Sequence, residues 1–129
     1  MGWTFDFLDN GILEINVKGV FTIDDFRELI QQMISDNRWK PGLNKLFNGK
    51  DLDIKILNTN TLYNIGKIQQ EFSEEIGGGK LAILVQDAMD YGTGVSYKNI
   101  VDKSVESRVM IFLNYDKAIE WLKTPIDTH

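Results

Sequence analysis

Cysteine is absent from the 129 residues, histidine occurs once and proline twice. Without cysteine there is no disulfide, no thiolate nucleophile and no cysteine-bound metal, and nothing points to an oxidising compartment. The one histidine, His129, is the last residue, where chain ends are poorly ordered, so it is not expected to serve as a catalytic base or metal ligand. Positive charge is also in deficit. Fourteen Lys and Arg stand against 19 Asp and Glu, and the formal charge of −5 opposes approach to a phosphate backbone or an anionic membrane surface. Nucleic acid is therefore not an expected partner. No apolar run approaches the roughly 20 residues that span a bilayer. Met1 to Asn10 lacks the basic start and apolar run of a signal peptide, so no membrane insertion is expected and the cytoplasm is the expected compartment.

What the sequence does have is apolar side-chain area. Apolar residues make up 43%, including three Trp, seven Phe and four Tyr, enough to offset the entropy of ordering a chain this long. The length predicts a single domain over residues 1–129, and no repeat, linker or low-complexity stretch interrupts it.

Trp3 to Leu8 and Ile12 to Val17 alternate apolar with polar residues around Asn10-Gly11, a pair that favours the positive φ of a tight hairpin turn. An antiparallel pair opening the chain follows. Thr22 then caps a helix in which Phe26, Leu29, Ile30, Met33 and Ile34 recur at helical spacing. Asp24 and Asp25 lie at its positive end, and it stops near Asn37, ahead of Pro41 and Gly42. A strand is expected near Asn44 to Asn48, followed by a polar connection, although Asn48-Gly49 also suits a second hairpin turn. A second helix begins at Asn60 or Thr61 and runs to about Glu75, with Leu62, Ile65, Ile68 and Phe72 inward and Gly77-Gly78-Gly79 ending it. Leu81-Ala82-Ile83-Leu84-Val85 does not alternate, as expected of a strand covered on both faces in the middle of a parallel region.

Ala88 to Lys103 reads as a third helix despite Gly92 and Gly94, Val109 to Leu113 as a strand, and Asp116 to Lys123 as a final helix ahead of Pro125. The order is β-β-α-β-α-β-α-β-α. It predicts an α/β fold with a mixed sheet of about five strands, an N-terminal β-hairpin and about four helices joined by right-handed crossovers.

This order, with Tyr91-Gly92 opening the third helix and the ending Arg108-Val109-Met110-Ile111-Phe112 followed by Ala118-Ile119-Glu120-Trp121-Leu122, resembles the SpoIIAA-like family. That family is related to the STAS domains, anti-sigma-factor antagonist modules, and is grouped with Sec14-like small α/β domains. The likeness covers nearly the whole chain in topology and mainly the last forty residues in sequence. It implies a sheet with helices on one main face and a role in protein partnership or apolar-ligand binding. STAS antagonists carry a phosphorylatable Ser in an Asp-Ser pair at the start of the second helix. Here that place holds Asn58-Thr59-Asn60-Thr61, so Thr59 and Thr61 are the matching phospho-acceptors, but no Asp precedes either.

Gly77-Gly78-Gly79-Lys80 has the composition of a phosphate loop. Such a loop precedes a helix and carries Ser or Thr after its Lys, whereas Leu81 and a strand follow here, so a helix-ending turn accounts for it better. Carboxylates are the remaining acid-base resource. Asp51, Asp53, Asp87 and Asp90 should meet beyond the carboxyl ends of the strands, and they read far more readily as solvated loop charges or helix-start residues than as a hydrolytic pair or a divalent-ion site. No cofactor, metal or catalytic constellation is therefore expected.

Three functions compete. The foremost is a non-enzymatic regulatory or interaction module, binding a protein partner or a second copy through Thr59, Thr61, Leu62 and the Tyr91-Gly92 turn. The second is binding of a small apolar or lipid-like ligand near Tyr91 and Tyr97, motivated by the aromatic surplus and the glycines of the third helix. The third and weakest is a carboxylate-dependent hydrolase. Trp121 falls to one side of the Ala118/Leu122 seam, where it covers the sheet edge or meets a second copy.

Overall fold

The computed structural model describes residues 2–52, 59–86 and 108–124. Its strands β1 (Trp3–Phe7), β2 (Leu13–Gly19), β3 (Lys45–Leu52), β4 (Lys80–Leu84) and β5 (Arg108–Phe112) form one sheet in the order β1-β2-β3-β4-β5. The first pair is antiparallel and the others are parallel, giving the expected mixed α/β sheet with an N-terminal hairpin. Helices α1 (Ile23–Ser35), α2 (Thr59–Glu71), the short α3 (Ser73–Ile76) and α4 (Tyr115–Lys123) complete the described elements. The expected helix from Ala88 to Lys103 lies outside the described residues.

The hairpin closes differently from the expected two-residue turn. Only Gly11 has positive φ, at 80°, while Gly11 N donates to Leu8 O and Leu8 N to Ile12 O. This is a three-residue loop ending in a left-handed glycine, whose φ an L side chain resists. Asn10 Oδ1 accepts from Ile12 N at 3.1 Å and holds the loop.

Helix α1 begins on a reciprocal cap: Asp25 N donates to Thr22 Oγ1 at 3.1 Å, and Thr22 N donates to Asp25 Oδ2 at 3.0 Å. Two otherwise orphaned amides are satisfied this way. Its stripe of Phe26, Leu29, Ile30 and Met33 is fully buried.

Strand β3 extends four residues past the expected end, because Asn48-Gly49 makes a bulge rather than a turn. Asn16 pairs with Asn48 but Lys18 with Asp51, so β3 carries one extra residue. A bulge absorbs an unpaired residue without ending the ladder. Asp51, expected in a loop, therefore stands in the strand opposite Lys18, a pairing of opposite charges.

Side chains alternate between two cores. Leu13, Ile15, Val17, Leu81, Ile83, Val109 and Ile111 meet α1 and α2 on one face. Leu46, Ala82 and Leu84 meet Ala118 and Leu122 of α4 on the other. The resemblance implied helices on one main face, but α4 covers β3 to β5 on the second. Each of the fully buried leucines, Leu13, Leu29, Leu46, Leu84 and Leu122, contributes about 2 kcal/mol by leaving water.

Candidate functional site

Strands β2 to β5 run parallel, so their carboxyl ends share one edge of the sheet, the place where open α/β sheets present their binding groups. Helix α2 opens at Thr59 beyond the end of β3 and carries Thr59, Thr61 and Leu62 in its first turn. Nothing is described of those three side chains. One position further, Tyr63 is 51% exposed, with the Lys67 ammonium 4.8 Å from its ring centroid. Val20 just past β2, Leu113 just past β5 and Tyr115 at the start of α4 are exposed as well. Four of the five exposed large hydrophobic residues among those described thus lie at or next to the strand carboxyl ends, and only Met110 lies within a strand.

The outer sheet face beside this edge is polar and internally bonded. Tyr115 hydrogen-bonds Glu14, and with that contact as the leading cause its phenol pKa is pushed up to about 12. Asn16 Nδ2 donates to Glu14 Oε2 at 3.4 Å, Asn48 Nδ2 to Asn16 Oδ1 at 3.0 Å, and Lys50 N to Asn48 Oδ1 at 3.2 Å. The chain of bonds runs from the start of α4 to the bulge of β3.

The opposite edge carries two buried lysines that sequence reasoning missed. Lys45 Nζ donates to the carbonyls of Leu43 and Gly78, both at 3.1 Å, and burial lowers its pKa to about 8. Lys80 Nζ donates to the Trp121 and Thr124 carbonyls at 2.8 and 2.6 Å and to Thr124 Oγ1 at 2.7 Å. Each follows or adjoins a glycine loop, which gave no local sign of burial.

That loop is structural. Gly77, Gly78 and Gly79 have φ of 74°, 80° and 87°, and Gly77 ends α3 in the left-handed conformation. A Cβ on Gly77 would stand 2.5 Å from Pro41 Cβ, and one on Gly79 2.7 Å from the Gly42 carbonyl oxygen, so the loop is packed against another turn instead of opening around an anion.

Trp121 stands half-buried on α4, its ring 5.7 Å from that of Phe112 and 4.9 Å from Lys80 Nζ. This is the sheet face opposite α2, so the structure does not bring Trp121 together with Thr59 to Leu62. Tyr91, Gly92, Tyr97, Asp53, Asp87, Asp90 and His129 lie outside the described residues. Among the described residues no group of three or more His, Asp or Glu could hold a metal ion. No described helix is long and apolar enough to cross a membrane. Tyr63 was legible in principle, since it falls off the Leu62/Ile65/Ile68/Phe72 stripe and so faces away from the core.

This arrangement is an α/β domain of SpoIIAA-like fold. The chain is similar in structure to an uncharacterized protein of the DUF3478 family from Shewanella loihica PV-4, described as having a SpoIIAA-like fold. The TM-score is 0.63 at 15% identity, over 93% of this chain and 91% of that one. No protein-family model matches the sequence, and neither does any curated protein.

Proposed function

We propose that the chain is a cytoplasmic regulatory module that acts by binding a protein partner, and not by catalysis, through the carboxyl edge of its parallel strands. The observation that carries this reading is the exposure of Tyr63 on the opening turns of α2, with Val20, Leu113 and Tyr115 exposed along the same edge. Aromatic side chains held rigidly at a surface supply large contact area at low entropic cost. The SpoIIAA-like fold adds support, because the STAS antagonists it resembles carry their phosphorylatable Ser at the start of this helix.

Affinity capture with purified wild type, Tyr63→Glu and Asn60→Arg tests the reading, with Gln31→Arg on the exposed side of α1 as control. A protein retained by wild type and Gln31→Arg but lost with both α2 variants supports it. Failure to retain any specific protein, or retention unaffected by the α2 variants, overturns it. Native mass spectrometry of freshly purified protein supplies the competing outcome: a lipid-like molecule as the sole co-purifying species would favour ligand binding instead.

A further inference from the structure

We infer that the free edge of β1 is a self-pairing surface, on which a second copy of this chain adds its own β1 antiparallel to make a continuous sheet across a two-fold axis. This surface is distinct from the carboxyl edge discussed above and does not depend on it.

Lys18 N donates to Gly2 O at one end of the hairpin, and Leu8 N donates to Ile12 O at the other. With the register Thr4↔Asn16 and Asp6↔Glu14 between them, the even-numbered residues of β1 are the ones hydrogen-bonded to β2. The N–H and C=O groups of Trp3, Phe5 and Phe7 consequently point away from the sheet. Among the described residues no strand pairs with that side. Natural edges are usually blunted by a bulge, a proline or an unopposed charge; β1 (WTFDF) has neither bulge nor proline, and its one charge, Asp6, is opposed by Thr4 in the register below. Its aromatic content instead favours pairing.

The strand is complementary to itself in one register. Centring the two-fold on Phe5 opposes Phe5 to Phe5 and Trp3 to Phe7, so all three outward residues exchange both backbone bonds with the partner strand. Phe5 and Phe7, which the monomer leaves only half-buried, then join Trp3 in an aromatic ladder across the junction, extending the stack of Trp3 on Phe5 and the edge contact of Phe5 with Phe7. On the other face the same register sets Thr4 opposite Asp6. A shift by one pair toward the loop would oppose Asp6 to Asp6, and a shift the other way would set Phe7 opposite position 1, outside β1. Like charges directly opposed disfavour the first, and the loss of an aromatic partner for Phe7 disfavours the second.

Light scattering coupled to gel filtration, from about 1 to about 500 µM to bracket an edge of this modest size, measures the equilibrium. Wild type is expected to form a dimer within that range. Thr4→Asp opposes two carboxylates twice across the axis and is expected to weaken the dimer about tenfold, whereas Thr4→Lys, which opposes an ammonium to Asp6, should match or tighten it. Thr4 is exposed and paired with Asn16 within the chain, and circular dichroism checks that both variants fold. A wild type that stays monomeric throughout overturns the inference, as does a dimer that responds equally to the two substitutions.

Discussion

Lys80, 2% exposed at the first residue of β4, donates its ammonium to the Trp121 carbonyl at 2.8 Å and thereby ties the end of α4 to the centre of the sheet. The last carbonyls of a helix have no intrahelical partner and carry the negative end of its dipole, so a cation there satisfies acceptor and field together. Burial of the charge is sustained by the further bonds to Thr124, and the Trp121 ring covers the ammonium.

Lys80→Met keeps the stem and removes these donors. It is expected to cost about 2–4 kcal/mol in urea unfolding, because the carbonyls it leaves are shielded from water. Thr124→Val removes the Oγ1 acceptor together with that hydroxyl's own bond to the Trp121 carbonyl, and should cost about 1 kcal/mol. Equal midpoints for Lys80→Met and wild type would refute the anchoring role.

Lys45 makes the opposite case. Its folded pKa is lowered to about 8 by desolvation, against an ordinary value of 10.5. Below pH 8 the amine is charged in both states and the full cost of burying that charge is present. Between pH 8 and 10.5 the folded protein releases the proton while the unfolded chain retains it, so this group makes stability rise with pH, by at most about 3 kcal/mol. The difference in unfolding free energy between Lys45→Met and wild type should therefore shrink or reverse across that window. A difference independent of pH from 7 to 11 would contradict the assignment.

How far these features could be read in advance follows from how local their causes are. Thr22 and Asp25 cap α1 through contacts three residues apart, and Phe26, Leu29, Ile30 and Met33 are buried at the spacing that announced them. Leu81 to Val85, unbroken and apolar, is buried throughout, with β4 between two parallel neighbours. Asn48-Gly49 misled because the same dipeptide suits a turn and a bulge, and only pairing with β2 decides between them. Lys45 and Lys80 look like surface charges, since the carbonyls that hold Lys80 lie some forty residues away and one of those on Lys45 more than thirty. At the site, the first turn of α2 was legible from the helix start. The exposure of Val20 and Leu113 depends on what the assembled edge leaves open, which no local pattern records.

Trp3 is 6% exposed and its indole Nε1 is buried with no hydrogen-bond partner among the described residues. Phenylalanine retains most of the ring and removes the unsatisfied donor, so Trp3→Phe is expected to change stability by less than about 1 kcal/mol. Trp3→Ala leaves a cavity and should cost about 3–5 kcal/mol. Thermal unfolding of the pair separates ring packing from hydrogen bonding; a loss for Trp3→Phe as large as that for Trp3→Ala would mean that the N–H is satisfied in solution.

The three glycines after α3 give a graded test of whether their loop is packed or open. All have positive φ, yet a Cβ on Gly78 meets nothing within 4 Å, while one on Gly77 meets Pro41 Cβ at 2.5 Å and Gly42 N at 2.8 Å. Gly78→Ala should therefore cost only the backbone strain, about 1 kcal/mol. Gly77→Ala adds a clash with a rigid ring and main chain and is expected to cost about 3 kcal/mol or more, since neither neighbour can swing aside. Urea titration of the two variants measures the gap. If they were equally stable, the 41–43 turn would have to yield without cost, and the loop would be free to open in the way its composition first suggested.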